Sequence, residues 1–238
     1  MKDNNFVYAD LSTFDVEKTK SFYSKLFNWS YFTDNQSYYV AYANDREVCG
    51  MYEMPEKFKA INMPSFWMSY IQVSNLESTL EKVKSHNGII ELIDTNQSIG
   101  KIALVRDSLG AGFTLYEGSA LNSRFQKTHN TMVWNELFIS DLDKIKPFYE
   151  GIFNWTIQKS THGRHLIKNQ SQETIGAIQE LSNSIKGNKE YWSVYFGVSD
   201  REYVKQTAVL EGGDVIYEDA ENLVITDPNG AFFHILEL

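Results

Sequence analysis

An eight-residue segment occurs twice in this chain, with its aromatic residues and its asparagine at the same positions. Phe22–Trp29 reads FYSKLFNW, and Phe148–Trp155, which lies 126 positions later, reads FYEGIFNW. This spacing is much longer than the roughly 20 to 50 residues of solenoid or propeller repeats. The repeated unit is therefore predicted to be a whole domain, and the chain to contain two related domains with two related cores.

Two further pairs of segments extend the repeat. Phe66–Asn75 is similar to Tyr191–Asp200, 125 positions later, and Asp107–Phe113 is similar to Asp227–Phe233, 120 positions later. The spacing changes from 125 to 120 positions between these two pairs of segments, where the first copy contains the polar stretch Thr95–Gly100. Because loops absorb length changes more readily than strands do, this stretch is predicted to be a longer hairpin loop.

Composition narrows the class of protein. The 238 residues fit two domains of ordinary size, and a single cysteine, Cys49, excludes an internal disulfide. No leader is evident after Met1 and no apolar run reaches the roughly 18 residues of a membrane span, so we expect a soluble, cytoplasmic protein. A net charge of −9 without clustered cations argues against nucleic-acid binding. The expected partner is a small molecule, and the expected state is a monomer or homodimer.

Each half divides again into two units of one strand, one helix and three strands. In the first unit, Phe6–Ser12 is predicted to be a strand, Asp15 to cap a helix, and three antiparallel strands to follow at Ser30–Thr33, Ser37–Ala43 and Val48–Glu53. The predicted domains cover residues 1–118 and 131–238, joined by a polar linker at 119–130.

These features resemble the vicinal oxygen chelate superfamily. The pattern is a strand, an Asp before a Phe-Tyr helix that ends in Asn-Trp, and an Asp-Pro-Asn-Gly-Ala turn before an apolar strand. The superfamily includes glyoxalase I, extradiol dioxygenases and bleomycin-resistance proteins. The resemblance covers almost the whole chain and implies an α+β fold, with four βαβββ units paired into two open-barrel domains. It is closest to tandem-domain glyoxalase-like proteins in which Trp-Asn-Glu-Leu, here Trp134–Leu137, opens the second domain.

The resemblance also implies positions for metal ligands, on the opening and closing strands of each unit. Such a site needs three or four His, Glu or Asp ligands around a divalent ion. The corresponding positions are occupied by Tyr8, Met68, Trp134 and Ser193 on the opening strands, and by Thr114 and His234 on the closing strands. The first domain is therefore predicted to lack a metal site.

The second domain offers at most a partial set of ligands. His234 and Glu136 could converge as an acid–base pair or as ligands of Fe, Ni, Zn or Mn, although no cofactor is predicted firmly. Strand alternation places Phe232 on the face of His234, with Ser193 and Tyr195 across from it. Alternatively, His234 is a hydrogen-bonded core histidine and Glu136 an ion-paired strand residue.

Two other polar groups are candidates for ligand binding. Asp10 occupies the position of Glu136 in the first copy, where a buried carboxylate needs a partner. That partner is expected to be Tyr70 or a lysine, in a structural hydrogen bond, or else a polar ligand. Arg164 lies in the tract His162–His165 at a predicted hairpin, which is either a solvated turn or the mouth of an anion-binding cavity.

Three functions remain open at this point. The first is a glyoxalase-like protein that binds a small metabolite or xenobiotic in aromatic-lined cavities without a complete metal site. The second is a metal-dependent lyase or extradiol-type dioxygenase with its site in the second domain, and the third is a drug-sequestering resistance protein. The aromatic residues expected to line the cavities are Tyr8, Tyr70, Trp134, Tyr195 and Phe232.

Overall fold

A computed structural model describes residues 4–33, 37–125, 127–160 and 163–238. Repeat 1 comprises β1 (Phe6–Thr13), α1 (Val16–Phe27), β2 (Ser30–Thr33), β3 (Tyr38–Ala43) and β4 (Arg46–Glu53). After the short helix α2 (Glu56–Lys59), repeat 2 comprises β5 (Phe66–Gln72), α3 (Leu76–Ser85), β6 (Ile89–Gln97), β7 (Gly100–Arg106) and β8 (Gly112–Glu117).

The second half follows the same plan. Repeat 3 comprises β9 (Met132–Ile139), α4 (Leu142–Phe153), β10 (Thr156–Lys159), β11 (His165–Lys168) and β12 (Thr174–Glu180). After the short helix α5 (Asn183–Lys186), repeat 4 comprises β13 (Tyr191–Val198), α6 (Arg201–Leu210), β14 (Asp214–Glu218), β15 (Leu223–Thr226) and β16 (Phe232–Glu237). The predicted succession of four βαβββ units is confirmed, whereas α2 and α5 were not predicted.

The strands form two open eight-stranded sheets. Their orders are β2-β3-β4-β1-β5-β8-β7-β6 and β10-β11-β12-β9-β13-β16-β15-β14. In each repeat the opening strand pairs in parallel with the closing strand, and the remaining pairs within a repeat are antiparallel. The predicted α+β class is thus confirmed. Among the described residues, no helix has the length and apolar character that crossing a bilayer requires.

Contacts between residues divide the chain into two compact units. Unit 1 comprises the described residues up to Val7, Ser69–Asn122 and Asn135–Ser193, and therefore holds most of repeats 2 and 3. Unit 2 comprises Tyr8–Met68, Ser123–Trp134 and Val194–Leu238, and holds most of repeats 1 and 4. The domain boundaries proposed from the sequence remain a prediction.

The three repeated segments meet in the core of unit 2. The indole Nε1 of Trp67 donates a hydrogen bond to the hydroxyl of Tyr23 at 3.2 Å, and that hydroxyl donates to Oδ2 of Asp227 at 3.4 Å. The other carboxylate oxygen of Asp227 accepts the backbone N–H groups of Asn229 and Ala231. One buried chain of hydrogen bonds therefore joins an opening strand, a helix and a closing turn.

Unit 1 repeats this arrangement with its own residues. Trp192 Nε1 donates to the hydroxyl of Tyr149 at 2.8 Å, and the hydroxyl donates to Oδ2 of Asp107 at 2.8 Å. Oδ1 of Asp107 accepts three successive backbone N–H groups, from Leu109–Ala111. The internal repeat in the sequence thus corresponds to a repeated Trp–Tyr–Asp chain.

The Asn-Trp pair at the end of each long helix has a local role. Asn28 and Asn154 end α1 and α4 in the left-handed conformation, at φ 55° and 52°, which asparagine tolerates better than most residues. The following tryptophans donate from Nε1 to backbone carbonyls, Trp29 to Asn130 at 2.8 Å and Trp155 to Asn4 at 2.7 Å. Each helix end is therefore closed and tied into its unit.

One expectation about repeat 2 was wrong. The stretch predicted as a longer loop instead extends the β6–β7 pair, because β6 continues to Gln97 and β7 begins at Gly100, with a register shift after Asp94. Glu117, at the end of β8, is half-buried and accepts the backbone N–H of Leu76 at 2.7 Å. This carboxylate satisfies a donor at the start of α3.

The Trp–Tyr–Asp chain leads to a test of stability. Tyr149→Phe would leave the indole N–H of Trp192 and the carboxylate of Asp107 without their shared buried partner, so we expect the free energy of unfolding to fall by about 2–4 kcal/mol in chemical denaturation. The matched control is Tyr203→Phe, which removes an exposed hydroxyl and should cost less than about 0.5 kcal/mol. Equal losses of stability in the two variants would contradict the stabilising role of the Tyr149 hydroxyl.

The Trp–Tyr–Asp chain of hydrogen bonds in unit 2 also predicts that stability depends on pH. Burial raises the pKa of Asp227 from 3.8 to about 6, so the folded protein holds this proton more tightly than the unfolded chain. The resulting stabilisation, at most about 3 kcal/mol, is complete below pH 4 and lost as the pH rises through about 6. The stability of the wild type relative to Asp227→Asn should therefore decrease from pH 4 to pH 7 in urea titrations. A relative stability that increases over this range would refute the prediction.

Candidate functional site

Each opening strand has one face covered by helices and one face turned away from them. In β9, Leu137 and Ile139 lie in the apolar core, so alternation directs Glu136 and Phe138 to the opposite side. We call this opposite side the open face of a repeat. The sequence-predicted site residues of the opening and closing strands lie on the open faces.

The open face of repeat 3 contains a buried ion pair. The side chain of Glu136 is fully buried, and Nε of Arg164 lies 3.1 Å from its Oε1. The Arg164 side chain is 29% exposed, so it extends from the buried carboxylate toward solvent. His162, in the same tract as Arg164, lies outside the described residues. His165 lies on β11, and burial lowers its pKa. The structure thus brings together two residues that the sequence placed in separate candidate groups.

Unit 1 has further polar and aromatic side chains on this face. Ser193 is 1% exposed, and its hydroxyl has no hydrogen-bond partner among the residues that the structure describes. The rings of Phe138 and Tyr191 contact each other with centroids 5.3 Å apart. A buried hydroxyl without a partner is costly unless a ligand or water satisfies it.

The open face of repeat 4, in unit 2, has an imidazole stacked on a phenol. His234 and Tyr195 are register partners on the parallel strands β16 and β13, and their rings stack with centroids 4.3 Å apart. Both residues are buried, whereas Phe232 is only half-buried. The stack fixes the plane of the imidazole.

Unit 2 also contains a buried cation that the sequence did not single out. The guanidinium of Arg124 lies over the ring of Trp134, 5.8 Å from its centroid. Burial lowers the pKa of Arg124 to about 10, so it remains charged at neutral pH. No sequence signal distinguished this arginine from the other polar residues of the predicted linker.

The open face of repeat 1 is filled by its own side chains. The hydroxyls of Tyr8 and Tyr38 lie 3.4 Å apart, and a side chain at Gly50 would collide with the Tyr38 hydroxyl. Asp10 is buried beside them, and burial, followed by the charge of Asp10, raises the pKa of Tyr38. Burial also raises the pKa of Glu47. Tyr38 was missed because it lies on β3, outside the predicted ligand-bearing strands. Glu47 lies on the closing strand β4, at a position that the resemblance did not single out.

The open face of repeat 2 has fewer polar groups. Tyr70 is 6% exposed, and its register partner on β8 is Thr114. Neither side chain is a carboxylate or an imidazole. Repeat 2 therefore contributes aromatic and hydroxyl surface to unit 1.

Solved structures with this fold include ring-cleaving dioxygenases and a glyoxalase. The 2,3-dioxygenase LapB from Pseudomonas sp. KL28 superposes with a TM-score of 0.67 at 10% identity, over 100% of this chain and 94% of LapB. The Mn(II)-bound glyoxalase from Novosphingobium aromaticivorans superposes with a TM-score of 0.68 at 9% identity, over 99% of this chain and 82% of that protein. At these identities the likeness establishes the fold.

Sequence comparison identifies the family. A profile of the Glyoxalase/Bleomycin resistance protein/Dioxygenase superfamily matches residues 5–113. The first half of the chain thus matches this superfamily in sequence, and the whole chain has the fold of the dioxygenase and the glyoxalase described above. CFP32 of Mycobacterium tuberculosis, provisionally named a glyoxylase, is 27% identical over 248 aligned residues, which cover 97% of this chain and 93% of CFP32.

The described residues do not fit the divalent metal that the superfamily implies. Among them, no three His, Cys, Asp or Glu side chains are grouped so that they could hold an ion. Glu136 faces a guanidinium and His234 stacks on a phenol. A carboxylate that faces a cation is a poor ligand, since a metal would have to displace the guanidinium or lie beside it.

The Glu136–Arg164 ion pair predicts how single and double substitutions change the stability of the protein. Arg164→Met would remove the charge 3.1 Å from a fully buried carboxylate, and we expect a loss of about 2 kcal/mol in urea unfolding near neutral pH. Adding Glu136→Gln should recover much of the loss, because the buried charge is then removed. If the double variant is less stable than Arg164→Met, the two residues do not act as a pair.

Proposed function

We propose that this superfamily member binds a small polar metabolite or xenobiotic on the open face of repeat 3, with Arg164 orienting an anionic or carbonyl group of the ligand. The proposal places no metal ion in the site. The observation that carries it is the Glu136–Arg164 pair, in which a fully buried carboxylate holds a partly exposed guanidinium at 3.1 Å.

The electrostatics of the pair support ligand orientation. A guanidinium is a planar fork of donors that matches carboxylate and carbonyl oxygens, and a buried counter-charge restricts its rotation. Because the Arg164 side chain is 29% exposed, a ligand can reach it from solvent without breaking the pair. Pre-positioning of this kind reduces the entropy lost on binding.

The neighbouring side chains support a ligand with both polar and apolar parts. The hydroxyl of Ser193 is buried and without a hydrogen-bond partner among the described residues, so a bound polar group would satisfy it. The contacting rings of Phe138 and Tyr191 supply apolar surface on the same face. Aromatic walls with a few fixed polar groups are typical of small-molecule sites.

A second candidate function is a metal-dependent lyase or dioxygenase with His234 and Glu136 in catalytic roles. Its specific support is His234 itself, an imidazole on the closing strand at the position that the superfamily uses for a ligand, together with the Mn(II)-bound glyoxalase of the same fold. The stacking of His234 on Tyr195 and the pairing of Glu136 with Arg164 favour the first proposal.

Ligand-induced thermal stabilisation tests the proposed site. Small carbonyl and carboxylate compounds that raise the melting temperature of the wild type should bind at least about tenfold more weakly to Arg164→Lys and Ser193→Ala. Arg106→Lys is the matched control, because Arg106 pairs with Glu91 in an exposed ion pair of the same unit. Ligands whose affinity is unchanged in both site variants would contradict the proposal.

Elemental analysis of the purified, untagged protein separates the two functions. We expect substoichiometric Fe, Ni, Zn and Mn that His234→Ala does not alter. About one tightly held ion per chain, lost in His234→Ala, would overturn the metal-free site and favour a lyase or dioxygenase.

A further inference from the structure

A groove on the surface of unit 1 lies between the end of α3, the turn after β7 and the helix α4. Its volume is about 390 Å³, which is within the range of small-molecule sites. The groove is formed by residues other than the proposed ligand-binding residues of repeat 3. Its walls include His86, Asn87, Ser108, Leu109, Lys144 and Pro147.

Hydrogen bonds and close packing hold the walls of the groove in place. Oδ1 of Asp107 fixes the turn by accepting the backbone N–H groups of residues 109–111. Nδ1 of His86 lies 2.8 Å from the carbonyl oxygen of Lys82, and since a carbonyl only accepts, Nδ1 carries the proton. The same imidazole lies directly against Gly151 of α4, where any side chain would collide with Nε2. The groove is therefore preformed within unit 1.

Two neutral polar side chains of the groove have no hydrogen-bond partner among the residues that the structure describes. They are the amide of Asn87 and the hydroxyl of Ser108, and both residues are exposed. Asn87 also has a left-handed backbone, at φ 63°, a conformation in which glycine is less strained. Because an amide and a hydroxyl each donate and accept hydrogen bonds, the two groups suit a ligand that does both.

The second copy of the repeat has different residues at these two positions. Gly212 corresponds to Asn87, and Pro228 corresponds to Ser108. A Cβ atom at Gly212 would lie 3.9 Å from Cγ of Pro228, so the two positions are close together in unit 2 as well. The same backbone arrangement thus has an amide and a hydroxyl in unit 1 and neither group in unit 2.

The charges around the groove favour a neutral ligand. The ammonium of Lys144 lies 2.8 Å from Oδ2 of Asp141, so it adds little attraction for an anion. The carbonyl groups at the C-terminus of α3 also disfavour an anion, and the exposed ammonium disfavours a cation. Leu109 and Pro147 add apolar surface. Sugars match this surface, because they combine uncharged hydroxyls that donate and accept with C–H groups that pack on apolar side chains.

We propose that this groove binds a neutral sugar, with Asn87 and Ser108 hydrogen-bonded to its hydroxyls and with Leu109 and Pro147 against its C–H groups. The site lies entirely in unit 1. It does not involve the Glu136–Arg164 pair, so either proposal can fail while the other holds.

The probes are D-glucose, D-galactose and D-mannose, each at about 50 mM, in saturation-transfer NMR with the full chain. We expect at least one of them to receive saturation from the protein and to raise its melting temperature. The corresponding uronate of the bound sugar adds a carboxylate and should bind at least about fivefold more weakly.

Two variants give unit 1 the residues of unit 2. Asn87→Gly and Ser108→Pro should each weaken binding of the sugar at least about fivefold, because each removes one hydrogen-bonding side chain. Asn44→Gly is the matched control, since Asn44 is also exposed and left-handed, at φ 49°, but does not line the groove. Its affinity should change by less than about twofold, as should that of Arg164→Lys.

Three results would overturn the inference. They are no response to any of the three sugars at about 50 mM, equal affinities for the sugar and its uronate, or unchanged affinity in Asn87→Gly and Ser108→Pro alike. If Ser108→Pro does not fold, Ser108→Ala takes its place. Loss of sugar binding in Arg164→Lys with none in the groove variants would move the sugar site to repeat 3 and leave the proposed function standing.

Discussion

A buried chain of an indole, a phenol and a carboxylate holds each compact unit together. Its members are far apart in sequence, since Tyr23 and Asp227 are separated by 204 residues and Tyr149 and Asp107 by 42. The carboxylate fixes a turn through backbone N–H groups, the phenol anchors a helix, and the indole fixes an opening strand. Burying a carboxylate is costly, and these bonds offset the cost only when all three elements are in place. That requirement couples strand, helix and turn into one cooperative core.

Because the residues on the helix-covered faces stabilise the core, the residues on the open faces can differ from repeat to repeat. In repeat 1, Tyr8 and Tyr38 fill the face with their own hydroxyls. In repeat 3 the open face instead contains the Glu136–Arg164 pair, and in repeat 4 an imidazole stacks on Tyr195. The fold is therefore kept while the polar groups of the open faces differ from one repeat to the next. Polar groups that a metal site would use are instead engaged with a guanidinium or an aromatic ring.

The fold was largely predictable because its signals are local. Asp15 was predicted to cap α1 and does so, by accepting the backbone N–H of Lys18 at 3.0 Å. Loop length was not predictable in the same way: extra residues can lengthen a loop or continue a strand pair, and only the pairing partner decides, as the extension of β6 to Gln97 shows. Candidate residues such as Glu136 could be named from alternation. The side chains that contact these candidates could not be named from the sequence. Arg164, the partner of Glu136, lies on a different element, and Arg124, which lies over Trp134, belongs to a segment that composition describes only as polar.

By itself, the sequence determined the duplication and the four βαβββ repeats, since both follow from periodicity, capping residues and repeated motifs along the chain. The superfamily was indicated by the resemblance of those motifs. Only the tertiary structure decided which charges meet. It placed Arg164 against Glu136, put His234 in a stack with Tyr195 and buried Arg124 over Trp134. The physical reason is that electrostatic and stacking energies depend on distances of a few ångströms between side chains. Those distances are set by packing across elements, which a linear pattern does not encode.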